Sequence, residues 1–353
     1  MADRPIRSAR VARRRDGRGE VLVDQVLLGR SGRSVSRLGF GLAAVGRPGY
    51  IALHHGRDLV DTGVRGMEAN ARRLLDRAFA GGVRYFDLAR SYGRAEAFLA
   101  SWLAGRELRS EEVTIGSKWG YTYTGGWRVD AEVHEVKEHS LQRLLGQWRE
   151  SRELLGGHLD LYQIHSATLA SGVLDNLEVC SALADIRESS GVAIGLSLSG
   201  PGQGAVLERA LGVEVDGRPL FDTVQATWNP LEPSVAPALR EAHRAGLGVI
   251  VKEALANGRL TGRNTAPEFG GVLSSLAREA SRLGASISGL ALAAALAQPW
   301  ADVVLSGAVT TEQLEDNLEA VAVEIDDEAL ESLKALAEPP ATYWRIRSAL
   351  PWT

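Results

Sequence analysis

The sequence predicts an α/β fold: a (β/α)8 TIM barrel with an N-terminal β-hairpin plug. Three observations predict it. Eight apolar, strand-like runs alternate with helical patterns, their spacing is even throughout, and an opening hairpin stands outside the alternation. Near-continuous apolar runs such as VAIGLSL belong to parallel strands buried on both faces. Eight units could also build a doubly wound sheet. Even spacing and an unpartnered hairpin, free to seal one end, favour the closed barrel.

The elements follow in order. VLLGRSGRSVSRLGFG reads as the hairpin, turning at Gly29 to Gly32 and running into a first strand at 38–42. Further strands read at 84–88, 113–117, 159–165, 192–199, 223–228, 249–252 and 303–306. Amphipathic helices read at 70–80, 133–155, 176–189, 235–245 and 313–321. No linker or composition break interrupts the alternation, so 21–338 reads as one domain. Residues 339–353, with Tyr343, Trp344 and Trp352, read as an extended tail that packs back on the barrel, as an anchor or as part of the mouth of a site. Residues 1–20 carry Arg4, Arg7, Arg10, Arg13, Arg14, Arg15 and Arg18 ahead of any periodic segment. They read as a disordered basic tail, with a transit peptide or interaction arm as the alternative.

Composition narrows the class. The chain has 353 residues, 45% hydrophobic and 24% charged, which is enough to bury a large core. A net charge of −4 supplies no basic field for nucleic acid or anionic lipid. No apolar run approaches the roughly 18 residues of a membrane span. The single cysteine, Cys180, excludes an internal disulfide framework and fits a reducing compartment, so a cytoplasmic enzyme is expected. Cys180 itself lies in an apolar helical pattern and reads as a buried structural thiol. His54 and His55 are adjacent in the long loop after the first strand. No other ligand pattern accompanies them, so no metal site is expected.

Barrel enzymes place their chemistry at the carboxyl ends of the strands. There the second strand ends in Asp87, with Tyr92 in its loop, the third in Ser117-Lys118 and the fourth in His165. Taken singly, an aspartate can cap a helix, a tyrosine can pack, a lysine can be solvated and a histidine can be a bonded core imidazole. Together at one rim they form a coherent set. A carbonyl that accepts hydride needs a proton on oxygen, and a phenol with a pKa of about 10 gives it up reluctantly at neutral pH. An ammonium about 4 Å away is worth roughly 4 kcal/mol at an effective dielectric of about 20. Lys118 is therefore expected to bring Tyr92 towards neutrality, Asp87 to hold that ammonium, and His165 to orient the substrate oxygen.

YFDLARSYG, TIGSKWG and LDLYQIHS resemble, in order, three signature stretches of the aldo-keto reductases, and the likeness extends over roughly residues 25–337. The resemblance implies the (β/α)8 barrel, the tetrad Tyr92, Lys118, Asp87 and His165, and an extended nicotinamide cofactor held without a Rossmann domain. IGLSLSG is similar to the fifth-strand stretch, which implies that Ser197 holds the nicotinamide amide. Leu198 stands where the family usually has an asparagine. TVQATWN implies a second amide contact from Gln225. VIVKEALANGRLTG resembles the seventh-strand stretch, which brings Lys252 and Leu255 to the cofactor. Lys252 replaces the stacking aromatic, so stacking falls to a residue elsewhere such as Trp228 or is missing, and Lys252 is read as reaching the pyrophosphate or an anionic substrate group. LSGAVTTEQLEDN resembles the adenosine-binding loop and helix, with Asn317 on the adenine. Gly307 and Gln313 occupy positions where many relatives carry a lysine and an arginine for the 2′-phosphate. The resemblance therefore leaves both NADP(H) and NAD(H) open.

Trp119, Tyr121, Tyr123 and Trp127 crowd the loop after Lys118, and Trp119 and Trp127 read as walls of the substrate pocket. Gly200, Gly202 and Gly204, with Asp222 about 20 residues on, imitate a dinucleotide loop. But Asp222 precedes its strand, so a plain glycine turn is expected. The function expected is hydride transfer between a nicotinamide and a small carbonyl compound or sugar. The alternatives are a barrel lyase with Lys118 as Schiff-base nucleophile and a nicotinamide-binding redox sensor without turnover.

Overall fold

In a computed structural model, which describes residues 23–53 and 55–353, the eight runs form eight parallel strands closed into a barrel. The basic segment 1–20 and His54 lie outside the described residues. The barrel strands are β1 (Leu38–Gly41), β2 (Tyr85–Asp87), β3 (Thr114–Trp119), β4 (Leu159–Ala167), β5 (Ala193–Leu198), β6 (Thr223–Thr227), β7 (Gly248–Lys252) and β8 (Val303–Ser306). Each pairs with its sequence neighbours, and β8 closes on β1 through Leu305 opposite Gly39. The outer layer includes α1 (Val64–Ala80), α2 (Ala95–Arg106), α3 (Leu141–Leu155), α4 (Leu177–Ser190), α5 (Gln203–Leu211) and α6 (Ala236–Arg244). It is completed by α7 (Gly270–Arg282), α8 (Ile287–Leu296), α9 (Thr311–Glu319), α10 (Asp327–Lys334) and α11 (Pro340–Ala349). Each strand has apolar neighbours on both faces, and each outer helix buries one stripe. In α1 that stripe is Met67, Ala71, Leu74, Leu75 and Ala78. The one helix buried nearly all round, α8, lies beneath α7 and α9 and is built of alanine and leucine.

The hairpin, Gln25–Leu27 paired with Ser34–Ser36, seals the lower end. Its turn leaves Leu28 and Val35 fully buried among Tyr85, Leu161, Ile250 and Val303. Burial of each side chain is worth about 1.5–3 kcal/mol. The fit requires Gly29, which has φ +47° and whose missing Cβ would stand 2.1 Å from the Gly248 nitrogen. Gly29→Ala is expected to cost about 1–3 kcal/mol through forced displacement of that contact. Urea unfolding checks this, and an unchanged midpoint would mean the plug does not seat so closely.

Two segments differ from expectation. The helix expected over 133–155 exists only from Leu141, because Ser140 caps it through a hydrogen bond from the Arg143 amide at 3.1 Å. The residues before it turn back instead, pairing Glu135–Lys137 with Tyr121–Tyr123. The C-terminal segment is helical rather than extended. Pro340 occupies the first turn of α11, where its missing N–H costs nothing. Tyr343 and Trp344 are buried beside α7 and α8. Beyond α11 the chain crosses the barrel mouth, where Thr353 exchanges two backbone hydrogen bonds with Tyr50 at 3.1 Å each. The glycine run at 200–204 leads into α5, and Asp222 accepts the Ile194 amide at 2.9 Å at the amino end of β5. It stands at the end of the barrel opposite the carboxyl rim. Among the described residues no helix is long and apolar enough to cross a membrane, and no group of three or more His, Cys, Asp or Glu could hold a metal ion.

Candidate active site

Strand alternation decides which side chains reach the barrel axis. On β2, Tyr85 and Asp87 point inward while Phe86 packs outward on Trp102. On β3, Lys118 points inward, Ser117 turns out to Glu96, and Trp119 turns out to His139. Trp119 is fully buried behind the strand and does not wall the pocket, contrary to expectation. A residue adjacent to an inward lysine must face the other way. The same rule buries Leu198 and turns Trp228 away from the axis onto Trp300, so Trp228 cannot supply the expected stacking. Trp127 packs on Phe98 and donates to the Thr62 carbonyl at 2.8 Å, also outside the cavity.

The inward set converges. Lys118 Nζ donates to Asp87 Oδ2 at 2.5 Å and to the Leu88 carbonyl at 2.8 Å, and lies 3.4 Å from Tyr92 Oη. Asp87 Oδ1 accepts Gln225 Nε2 at 2.7 Å and Tyr85 Oη at 3.3 Å. Tyr92 sits in the tight turn after β2, its amide bonded to Ala89 O at 3.0 Å, with its ring edge-on to His165, centroids 5.5 Å apart. His165 owes its aim to an irregularity in the pairing of β4 with β5 between Ile164 and Ala167. Ser166 there adopts φ +52°, and its amide donates to Ser197 Oγ at 2.8 Å. Ser197 was expected to hold the cofactor amide. Here it supports the turn that presents His165 and does not wall the cavity.

Charge behaves differently from the simple pairing argument. Burial first, and the Asp87 carboxylate second, hold the Tyr92 phenol well above its ordinary pKa. Lys118 does not offset this, because its ammonium is committed to Asp87 and the pair presents little net charge. Burial lowers Lys118 against the pull of Asp87. His165 is held neutral, well below its usual range, by burial and then by Lys118, Lys252 and Arg47. Its Nδ1 is buried without a hydrogen-bond partner among the described residues.

One cavity of about 370 Å³ runs from this cluster along the ends of the later strands. Asp87, Tyr92 and His165 wall one end. Gln225 lies beside Asp87 at that end, Lys252 and Leu255 wall the middle, and Gly307, Gln313 and Asn317 the other end. Lys252 Nζ donates to Thr227 Oγ1 at 2.9 Å, and Thr227 Oγ1 donates to Glu253 Oε2 at 2.9 Å. Arg347, from α11, closes the network on Glu253 Oε1 at 2.7 Å. Burial would raise Glu253, but Arg347 and Lys252 outweigh it and hold it at about 2. Burial brings Lys252 down to about 8.

The sequence offers the 339–353 tail, with Trp352, as part of a mouth, but sequence reasoning missed Arg47, Tyr50 and Arg347 at the mouth above Tyr92. Arg47 is buried there between the Tyr92 and Trp352 rings, 5.6 and 4.8 Å from their centroids, and pairs with Glu135 at 2.6 Å. Tyr50, Arg347 and Trp352 complete it. No periodic signal marks these residues. The helix-forming stretch ATYWRIRSA after Pro340 was the only available clue to Arg347.

Residues 38–338 match the profile of the "Aldo/keto reductase family". The chain is 27% identical over 347 residues to "Uncharacterized oxidoreductase YrpG" of Bacillus subtilis (strain 168), covering 90% of this chain and 97% of that protein. It is 25% identical to "Aldo-keto reductase str7" of Strobilurus tenacellus, over 86% of this chain and 89% of that one. Its fold is similar to the holo form of the aldo-keto reductase AKR11C1 from Bacillus halodurans. The TM-score is 0.69 at 22% identity, over 90% of this chain and 97% of that one.

Proposed function

The chain belongs to the aldo/keto reductase family and is an oxidoreductase, and from that premise we propose that it moves a hydride between a nicotinamide dinucleotide and a small carbonyl compound or sugar. The observation that carries this reading is Tyr92 Oη lying 3.4 Å from a fully buried Lys118, at one end of a cavity whose other end is walled by Gln313 and Asn317.

The residues fit an extended dinucleotide. The cavity is long and lined by both polar and apolar side chains. Gln225 gives its amide N–H to Asp87, while its Oε1 accepts nothing from the described residues, which leaves an acceptor for a carboxamide at the Tyr92 end. Lys252, held over the middle by Thr227, is the cation suited to a pyrophosphate. Leu255, Gly307, Gln313 and Asn317 would hold the adenosine half. The chemistry the nicotinamide supplies when bound is the hydride.

The chain's own residues supply the proton. In reduction, the Tyr92 O–H bond breaks and its proton passes to the carbonyl oxygen, which His165 orients as a neutral hydrogen-bond donor. Lys118 faces the phenolate so formed, and Asp87 holds the ammonium in place. The Schiff-base alternative is disfavoured. Lys118 is fully buried, does not wall the cavity and has its donors committed. At the mouth, the Arg47–Glu135 and Arg347–Glu253 pairs offer donors and acceptors, which suits a hydroxylated substrate such as an aldose.

The raised Tyr92 fixes a pH signature. A phenol held above its ordinary pKa stays protonated through the neutral range, so with nucleotide saturating, its pyrophosphate keeping Lys252 charged, kcat/KM for reduction should be flat from about pH 6 to 9 and fall only above that. The reverse oxidation needs the phenolate, so it should rise with pH over the same range, by up to about tenfold per pH unit. Steady-state rates in both directions check this, and an oxidation rate independent of pH would contradict it. Fluorescence titration with NADH and NADPH, followed by a panel of aldehydes, ketones and aldoses, tests the function as a whole. Failure to bind either nucleotide would end the reading.

A further inference from the structure

At the cavity end remote from Tyr92, a loop carboxylate faces the helix expected to hold the adenosine. Asp58 comes from the long loop after β1, and its Oδ2 accepts Gln313 Nε2 at 3.0 Å. The same oxygen is ion-paired to Arg263, from the loop after β7. Gln313 is fixed in orientation, since its Oε1 also accepts the Val309 amide at 2.9 Å. Gln313 and Asn317 are one turn apart on the same face of α9 and both wall the cavity, as do Asp58, Asp316 and Arg263. Two carboxylates therefore face one guanidinium among the described residues at this end. The second oxygen of Asp58 accepts no hydrogen bond from the described residues.

Resting on the dinucleotide reading above, we propose that Asp58 makes this cavity select the unphosphorylated adenine ribose of NAD(H) and reject the 2′-phosphate of NADP(H). A carboxylate oxygen accepts from a ribose diol, and a site that hydrogen-bonds a hydroxyl discriminates strongly against a ligand that lacks it. The same oxygen repels a phosphate dianion, and such repulsion is an effective source of specificity. Arg263 does not reverse this while its charge is paired with Asp58.

The test is binding, not turnover. Dissociation constants for NADH and NADPH are measured by fluorescence quenching on the full chain, with Asp58→Ser and Asp58→Asn as variants. ADP-ribose and its 2′-phosphate are measured on the unmodified chain as probes of this end alone. The unmodified chain should prefer NADH, and ADP-ribose over its 2′-phosphate, by about tenfold or more. Both variants should narrow or invert the preference by about tenfold. Most of that change should come from tighter NADPH binding, because the substitution removes a negative charge from the cavity wall. Preference for the phosphorylated ligands in the unmodified chain, or an unaltered ratio in both variants, would overturn the proposal while leaving the dinucleotide reading intact. Binding of neither nucleotide would overturn both.

Discussion

Replacing Tyr92 by phenylalanine is expected to lower kcat by about 10²–10⁴-fold, the range a positioned general acid supplies. The substitution removes only Oη. The ring keeps its edge-on contact with His165 and its place beneath the Arg47 guanidinium. The one hydrogen bond lost is long, 3.4 Å to Lys118, so stability should fall by no more than about 1 kcal/mol. Cofactor affinity should be nearly unchanged, because the expected contacts lie on Gln225, Lys252 and the far end of the cavity. A large fall in kcat with a small change in nucleotide affinity would identify an interaction made only in the transition state. Turnover near that of the unmodified enzyme would remove Tyr92 from the mechanism. An unmodified protein that binds nucleotide yet reduces nothing would instead favour the sensor reading.

Lys118→Met is expected to combine a comparable loss of turnover with a loss of stability. Its ammonium and the Asp87 carboxylate are both almost completely buried and touch at 2.5 Å. Removing one partner of such a pair strands the other charge, at a cost of about 3–5 kcal/mol. Gln225 and Tyr85 still donate to Asp87 Oδ1, so the lower part of that range applies. The double variant Lys118→Met/Asp87→Asn should recover most of the stability, since no buried charge remains, and none of the turnover, since no cation faces the forming phenolate. Urea midpoints and kcat read the two effects separately. A single variant as stable as the parent would show that the pair is not desolvated as the structure has it, and recovery of turnover in the double variant would show that Lys118 is not needed.

The tetrad was legible because each member lies within or just beyond a strand whose apolar period is plain. LDLYQIHS displays both the buried run and the polar residue that ends it. The errors also follow strand geometry. Trp119 and Trp228 are available to the site on proximity in sequence alone, yet each faces outward, because the residue before it on the pleat faces inward. Ser197 does face inward, but it is used one layer back, to hold the Ser166 amide.

By itself the sequence determined the closed barrel, its plug and the convergence of Asp87, Tyr92, Lys118 and His165 at one rim. Local alternation and spacing dictate which faces must be buried, and even spacing with an unpartnered hairpin favours closure over a doubly wound sheet. Only the tertiary structure decided the rest. Arg47, Asp58, Arg347 and Trp352 come from a long loop and a terminal segment, where no period says what a side chain will meet, and contacts across 206 to 301 residues tie those segments down. It also decided the sense of the Tyr92 shift. A pKa depends on how far water is excluded and on where the neighbouring ammonium spends its hydrogen bonds, and neither quantity exists until the chain has folded around them.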